Sequence, residues 1–154
     1  MKKTAKTSEI LSVYNVLSSA KYTKLDDADK IKVWKLARKM KPIATKFDED
    51  SKDAAEKLKP SEAFDERLSK AREYERLQTE GKPTVDIMTT ADYKRFLDEI
   101  GQYNRLVGDA VKEFADKEVE MEFDALSEES FGLLMASNEW TIAQVTTLGD
   151  FICE

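Results

Sequence analysis

Histidine is absent from this sequence and cysteine occurs once, at Cys153, and both facts exclude familiar chemistry. Without histidine there is no Ser–His or Cys–His nucleophile pair, and the commonest general base and zinc ligand are missing. A single cysteine cannot form an internal disulfide, and Cys153 has no basic neighbour in sequence that would activate its thiol. The usual glycine-rich phosphate loops are also absent. We therefore expect no catalytic residue and no cofactor.

The chain is poor in turn-forming residues, with 5 glycines and 3 prolines. This scarcity disfavours a sheet protein, whereas 36% charged and 41% hydrophobic residues suit long helices with one wet face. No apolar run approaches the roughly 20 residues that span a bilayer. The formal net charge of −6 argues against general affinity for nucleic acid. Carboxylates are plentiful, but none is spaced as in a calcium-binding loop, so we expect no metal site.

Apolar residues recur at steps of three and four, and this periodicity predicts a single all-α domain. Pro42 falls inside the longest apolar stripe, and a proline at such a position kinks or breaks a helix. Because the stripe stays in phase across Pro42, we expect a kink and not a break. Residues 1–6 are basic and are expected to be mobile. The stretch that follows resembles a secretion signal superficially, but Glu9 and several polar residues interrupt it, so we interpret it as a helix. The predicted segments are a short helix at 8–20, a long helix at 26–59, a charged helix at 61–80, a long helix at 89–116 and a C-terminal helical unit at 127–152.

The two long helices carry apolar stripes of similar length, from Val33 to Leu58 and from Tyr93 to Phe114. Each stripe alone would leave an apolar seam in water. We therefore expect an antiparallel hairpin in which the two seams pack together, with the short helices closing one end.

Residues 117–125 break the helical period, because Val119 and Met121 alternate with acidic residues. The alternation fits either a short β segment or the fraying end of a helix, and we favour the strand. The only candidate partner strand in view is the short stretch 84–88. If the two do not pair, the segment leaves an edge open to another protein or another copy of the chain.

Residues 30–46 hold seven cations and no acid, which raises the question of a nucleic-acid or membrane surface. We interpret them as the solvated face of a helix whose other face is core. The acidic continuation of the same helix at 48–56 would repel phosphate. Trp34 lies among these cations, outside the apolar stripe. We expect the first helix to cover it as core; otherwise Trp34 contacts a partner, as exposed tryptophans often do.

Three groups of residues are candidates for contacts with a partner or ligand. They are Trp34, Lys35, Arg38 and Lys39 on the basic helix, Phe64, Leu68, Tyr74 and Leu77 on the seam of the charged helix, and Val119 and Met121 in the alternating segment.

The order of elements resembles that of small uncharacterised helical proteins of tailed bacteriophages and prophages. The resemblance lies in the opening SEILSVYNVLSSAKYTKLDDADKIKVWKLARKMKPIATKFDED and the ending KEVEMEFDALSEESFGLLMASNEWTIAQVTTLGDFI. It covers most of the chain, although this sequence adds the charged helix at 61–80. The resemblance implies no reaction and no catalytic residue. It implies a viral protein located in the cytoplasm of a bacterial host cell or in the virion.

The leading hypothesis is therefore a non-enzymatic structural or accessory protein that acts through protein–protein contacts, with another protein or as a homo-oligomer. A second hypothesis is a small inhibitor or sequestering protein. It would bind a host factor or a nucleotide signal through Lys35, Arg38 and Lys39, with Trp34 stacked on the ligand. A third hypothesis is nucleic-acid binding by the same helix. No membrane partner is expected.

Overall fold

The computed structural model describes residues 1–154 and is mainly helical, which confirms the predicted fold class. None of the helices combines the length and the apolar character needed to cross a bilayer. The chain divides into two compact units, Met1–Glu49 with Glu113–Glu154, and Asp50–Lys112. The elements are β1 (Lys2–Lys6), α1 (Thr7–Ser18), α2 (Asp27–Lys57), α3 (Phe64–Thr79), α4 (Thr90–Asp116), β2 (Glu118–Glu122), α5 (Glu128–Ala136) and α6 (Ile142–Ile152).

The starts of α5 and α6 follow capping signals in the sequence. The Thr141 hydroxyl accepts a hydrogen bond from the Gln144 backbone N–H, and the Gln144 side chain accepts one from Thr141, so a capping box opens α6. The Ser127 hydroxyl caps α5 in the same way, by accepting from the Ser130 N–H at 3.1 Å. Helix α2 continues through Pro42, in agreement with its unbroken apolar period.

The first unit has a core to which almost every one of its elements contributes. Helix α1 packs against α6, and the first half of α2 adds Val33, Leu36 and Met40 to the same cluster. The fully buried side chains of this core are Ile10, Val13, Met40, Leu126, Leu134, Leu148 and Ile152.

The prediction that residues 1–6 are mobile is wrong, because Lys2–Lys6 form a strand. Strand β1 pairs with β2 in antiparallel fashion, so the alternating segment has a partner that the sequence did not reveal. Exposed positions face each other in the pairs Lys2–Glu122, Thr4–Glu120 and Lys6–Glu118, whereas Lys3–Met121 and Ala5–Val119 face the core. Glu118 and Glu122 therefore lie opposite lysines of β1, Glu120 lies 3.9 Å from the Lys2 ammonium on the diagonal, and opposite charges across strands are mildly stabilising.

Adjacent substitutions in β1 test this strand. Ala5 is 4% exposed, so Ala5→Lys would place an unpaired ammonium group in the core and should lower the free energy of unfolding by about 3 kcal/mol or more. Thr4→Lys adds the same charge on the exposed face opposite Glu120 and should change stability by less than about 0.5 kcal/mol. Urea denaturation followed by circular dichroism measures both. Equal tolerance of the two substitutions would show that residues 1–6 are not packed.

The second unit has a smaller core of its own, built by α3 against the first half of α4. Phe96 is fully buried, its ring centroid lies 5.6 Å from that of Phe64, and the Arg67 guanidinium lies 4.5 Å above its ring. The Arg67 guanidinium also donates to Glu99 at 2.7 Å. Tyr74 stacks on Tyr93 with centroids 4.1 Å apart.

The buried residues of the two long apolar stripes lie in different cores, while the Tyr103 hydroxyl of α4 donates to the Ala55 carbonyl in the second half of α2. The buried stripe residues of α2, Val33, Leu36 and Met40, belong to the first core, which contains no residue of α4. The buried residue of α4 is Phe96, which belongs to the second core with α3. The period alone cannot tell which neighbour covers which turn of either helix.

Candidate functional site

A groove of about 460 Å³ lies between α1 and α2 in the first unit, and it brings aromatic and basic side chains together. Three of its residues are aromatic, two are cationic and none is acidic. The aliphatic floor comes from Leu17, Val33 and Ala37. The lining residues are Tyr14, Leu17, Ser18, Tyr22, Val33, Trp34, Ala37, Arg38 and Lys41. We call this feature the Trp34 groove.

We expected Trp34 to be a core residue, but its side chain is 52% exposed. Helix α1 does fold back beside α2, yet it covers Val33 and leaves the neighbouring indole at the rim of the groove. Ile31, one turn earlier on α2, is 51% exposed, and Tyr22 is 38% exposed. The alternative reading of Trp34, as a residue that contacts a partner, is the one that agrees with its exposure.

Arg38 follows Trp34 by one helical turn and packs over it, with the guanidinium carbon 5.2 Å from the ring. Such a cation–π contact contributes about 0.5–1 kcal/mol at an exposed site. Lys41 continues the same edge of α2. The ion pairs near the start of α2 are formed elsewhere, by Lys30 with Asp27 and by Lys32 with Asp29.

Lys35 and Lys39 belong to a different surface, so the predicted basic site is split. They line a separate pocket of about 240 Å³ beside the sheet, together with Lys32, Glu122 and Asp124. There the Lys39 ammonium donates to the backbone carbonyl of Glu122. The division follows from helix geometry, because residues 35 and 39 lie about 100° around α2 from residues 34 and 38.

The seam of α3 is largely internal. Phe64 and Tyr74 are each 3% exposed and form part of the packing of the second unit, and Leu68 and Leu77 are half-buried. A narrow stripe on a charged helix suggested a surface for a partner, but α4 covers it.

The two apolar residues of the alternating segment face inward as well. Met121 is 5% exposed and Val119 packs against the first core, so both side chains face inward while β1 pairs with the backbone. Neither residue is available as the open-edge contact that the sequence suggested.

Tyr14 and Tyr22 were not among the predicted contacts, although both line the Trp34 groove. Tyr14 fits the apolar stripe of α1, and Tyr22 lies in the connection to α2, where a single aromatic gives no periodic signal. The sequence signal that remains is their closeness to Trp34 along the chain, because two helices joined by a short connection pack side by side.

One buried acid was also missed. Asp29 is 9% exposed and accepts hydrogen bonds from the Ser130 hydroxyl and, at 3.0 Å, from the Lys32 ammonium. The Ser130 hydrogen bond, followed by that from Lys32, lowers the pKa of Asp29 below its ordinary value of 3.8. Asp29 therefore joins the start of α2 to the start of α5 as a carboxylate.

The lowered pKa predicts a pH dependence. Because the folded state favours the ionised form, its contribution is complete above the unfolded-state pKa near 3.8 and is lost as pH falls through the lower folded-state pKa. Asp29→Asn should lower the free energy of unfolding at pH 7 by about 1–3 kcal/mol. It should also reduce the loss of stability that the wild type shows as the pH falls. Asp27→Asn is the matched control, since the Asp27 side chain is 99% exposed. Urea titrations at pH 7 and from about pH 5 to pH 2 decide the matter. Equal effects of the two substitutions would refute the assigned role.

The buried acid and the cysteine lie outside the Trp34 groove. No three acidic or cysteine side chains come close enough together to hold a metal ion. Burial, aided by the Glu128 carboxylate, raises the pKa of the Cys153 thiol, which keeps it protonated at neutral pH. Asp29 faces a serine and a lysine in an ion pair and does not line the Trp34 groove.

Comparison with known proteins finds no matching protein-family model, no matching curated protein and no matching solved structure. The Trp34 groove therefore has to be interpreted from its own geometry.

Proposed function

We propose that this protein is a non-enzymatic binding protein that docks a segment of another protein in the Trp34 groove. The observation that carries the proposal is the 52% exposure of Trp34 at the edge of a groove that holds two further aromatic rings. Tryptophan, tyrosine and arginine are the residues most enriched where protein interfaces gain their free energy. The groove brings all three together.

The Trp34 groove also has features that favour tight binding. Arg38 packs on the indole and limits its motion, so less rotamer entropy is lost when a partner binds. The volume of about 460 Å³ accommodates a few large side chains of a partner. The apolar floor offers area to bury, and the surrounding cations offer polar contacts at the rim.

The biological setting remains the hypothesis drawn from the order of elements, namely an accessory or structural protein of a phage or prophage. A protein of that kind acts by contacting other proteins. Homo-oligomer formation through the same groove is the alternative mode of contact.

A random-peptide display selection against the purified chain tests the proposed function without knowledge of the host. We expect enriched peptides whose binding is lost on Trp34→Ala, because that substitution removes the largest side chain of the groove. Ile142→Ala is the control, since Ile142 is a large apolar residue that is 86% exposed and lies outside the groove.

Failure to enrich any peptide, or binding that survives Trp34→Ala, would contradict the proposal. Light scattering over a concentration series is run in parallel. A dimer that dissociates on Trp34→Ala would assign the groove to self-association.

A further inference from the structure

We infer that the occupant of the Trp34 groove is an acidic, amphipathic helical segment of a partner protein. This inference rests on the proposed function and specifies the chemistry of the partner. It follows from the charge, the polarity and the length of the groove.

The charge of the groove differs in sign from that of the molecule. The chain has a formal net charge of −6, yet the groove is lined by Arg38 and Lys41 and by no carboxylate. A positive site on a negative protein attracts a partner whose local charge is negative, and it disfavours basic segments. Complementary charges at the rim mainly determine which partner binds and how fast it associates.

Along α2, both cations of the groove lie on the C-terminal side of Trp34. Trp34 is the large apolar side chain that α2 presents to the groove, Ile31 is exposed one turn before it outside the lining, and Arg38 and Lys41 follow one and two turns later. From Trp34 to Lys41 the helix rises by about 10 Å. A matching partner segment therefore has apolar residues against Trp34 and carboxylates about one to two turns further along.

A helix fits the shape better than an extended chain. The lining includes residues spaced by three or four on α1 and α2, namely Tyr14 and Leu17 on α1 and Val33, Ala37 and Lys41 on α2. Two packed helices leave between them a groove that receives the ridge of a third helix. An amphipathic helix in such a groove is a recurrent mode of peptide recognition.

Nucleic acid would stack on the same aromatic residues but fits the charges less well. A strand needs a positive track that follows successive phosphates. Here the cations beyond the groove are separated from it, since Lys35 and Lys39 line the other pocket with Glu122 and Asp124.

The test uses the full chain and three synthetic peptides of about 18 residues. The first has leucines along one helical face and glutamates elsewhere. The second replaces each glutamate with lysine, and the third keeps the composition of the first but disperses the leucines. Isothermal titration measures each affinity. We expect the acidic amphipathic peptide to bind at least about tenfold more tightly than either of the others, with affinity falling as salt is raised.

A charge-reversed variant completes the design. The double substitution Arg38→Glu with Lys41→Glu should weaken binding of the acidic peptide by about tenfold or more and strengthen binding of the lysine peptide. Lys35→Glu with Lys52→Glu changes the net charge equally at exposed positions of α2 outside the groove and should change neither affinity comparably. Thermal melts of all variants verify that they fold, and Arg38→Gln with Lys41→Gln replaces the reversed pair if it does not.

The outcomes separate the two proposals. If peptides bind in a Trp34-dependent way but the lysine or dispersed peptide is preferred, the occupant is not an acidic amphipathic helix, and the proposed binding function stands. If no peptide binds in a Trp34-dependent way, both are wrong. The proposed acidic helical occupant would also be contradicted if a single-stranded oligothymidine bound more tightly than the acidic peptide in a Trp34-dependent way, or if the groove held a dimer together.

Discussion

Replacing Trp34 with alanine is expected to weaken binding of a display-selected peptide by about 30-fold or more, which corresponds to about 2 kcal/mol. The side chain is 52% exposed, so its loss should lower the free energy of unfolding by less than about 1 kcal/mol. The large effect on binding and the small effect on stability together distinguish a docking residue from a core residue. Isothermal titration and urea denaturation measure the two quantities on the same preparation.

Ile142→Ala is the matched control for Trp34→Ala. Ile142 is 86% exposed and does not line the groove, so neither binding nor stability should change appreciably. If Trp34→Ala lowers stability by several kcal/mol, the indole contributes to the core and the docking role fails. If both substitutions weaken binding equally, the peptide recognises exposed apolar surface without regard to the groove.

The second large effect is expected at Phe96, the most buried side chain of the second unit. Phe96→Ala should lower the free energy of unfolding by about 3–5 kcal/mol, because it leaves a cavity and removes ring contacts with Phe64 and Arg67. Leu106→Ala on the same helix, at a residue that is 53% exposed, should cost less than about 1 kcal/mol. Urea denaturation followed by circular dichroism measures both.

Phe96→Ala also probes the packing of α3 on α4. Circular dichroism of the variant should show reduced helix content at urea concentrations that leave the wild type folded. A change no larger than that of Leu106→Ala would mean that α3 does not cover Phe96, and the second core would have to be redrawn.

The helices could be predicted from the sequence because their signal is local. Steps of three and four in the apolar pattern located α2 and α4 within one or two residues of their observed ends, and the Thr141–Gln144 pair marked the start of α6. Each of these signals lies within a few turns of the residues it describes.

Strand β1 could not be predicted, because its cause lies far away in the chain. Its five residues, Lys2–Lys6, include one buried apolar side chain, Ala5, which is too little for a periodic signal. The partner strand β2 begins more than one hundred residues later, and neither strand shows the other in its own sequence. The pairing of lysines in β1 with glutamates in β2 becomes apparent only when the register of the two strands is known.

The Trp34 groove could be predicted only in part, for a related reason. The sequence shows an indole among cations, but its exposure depends on how far α1 lies across α2. That placement is fixed by the packing of Val13 and Leu17 in the first core. The same limit explains why Phe64, Tyr74 and Met121, which a local pattern leaves unpaired, prove to be covered by distant elements.

The most direct test of docking in the Trp34 groove uses the two tryptophans of the chain as internal reporters. Trp34 lies at the groove, whereas Trp140 packs against the first core and does not line the groove. In a titration of ¹⁵N-labelled protein with the acidic amphipathic peptide, we expect the indole N–H resonance of Trp34 to shift or broaden while that of Trp140 stays in place. A Trp34 resonance that does not respond, or two resonances that move alike, would contradict docking in the groove.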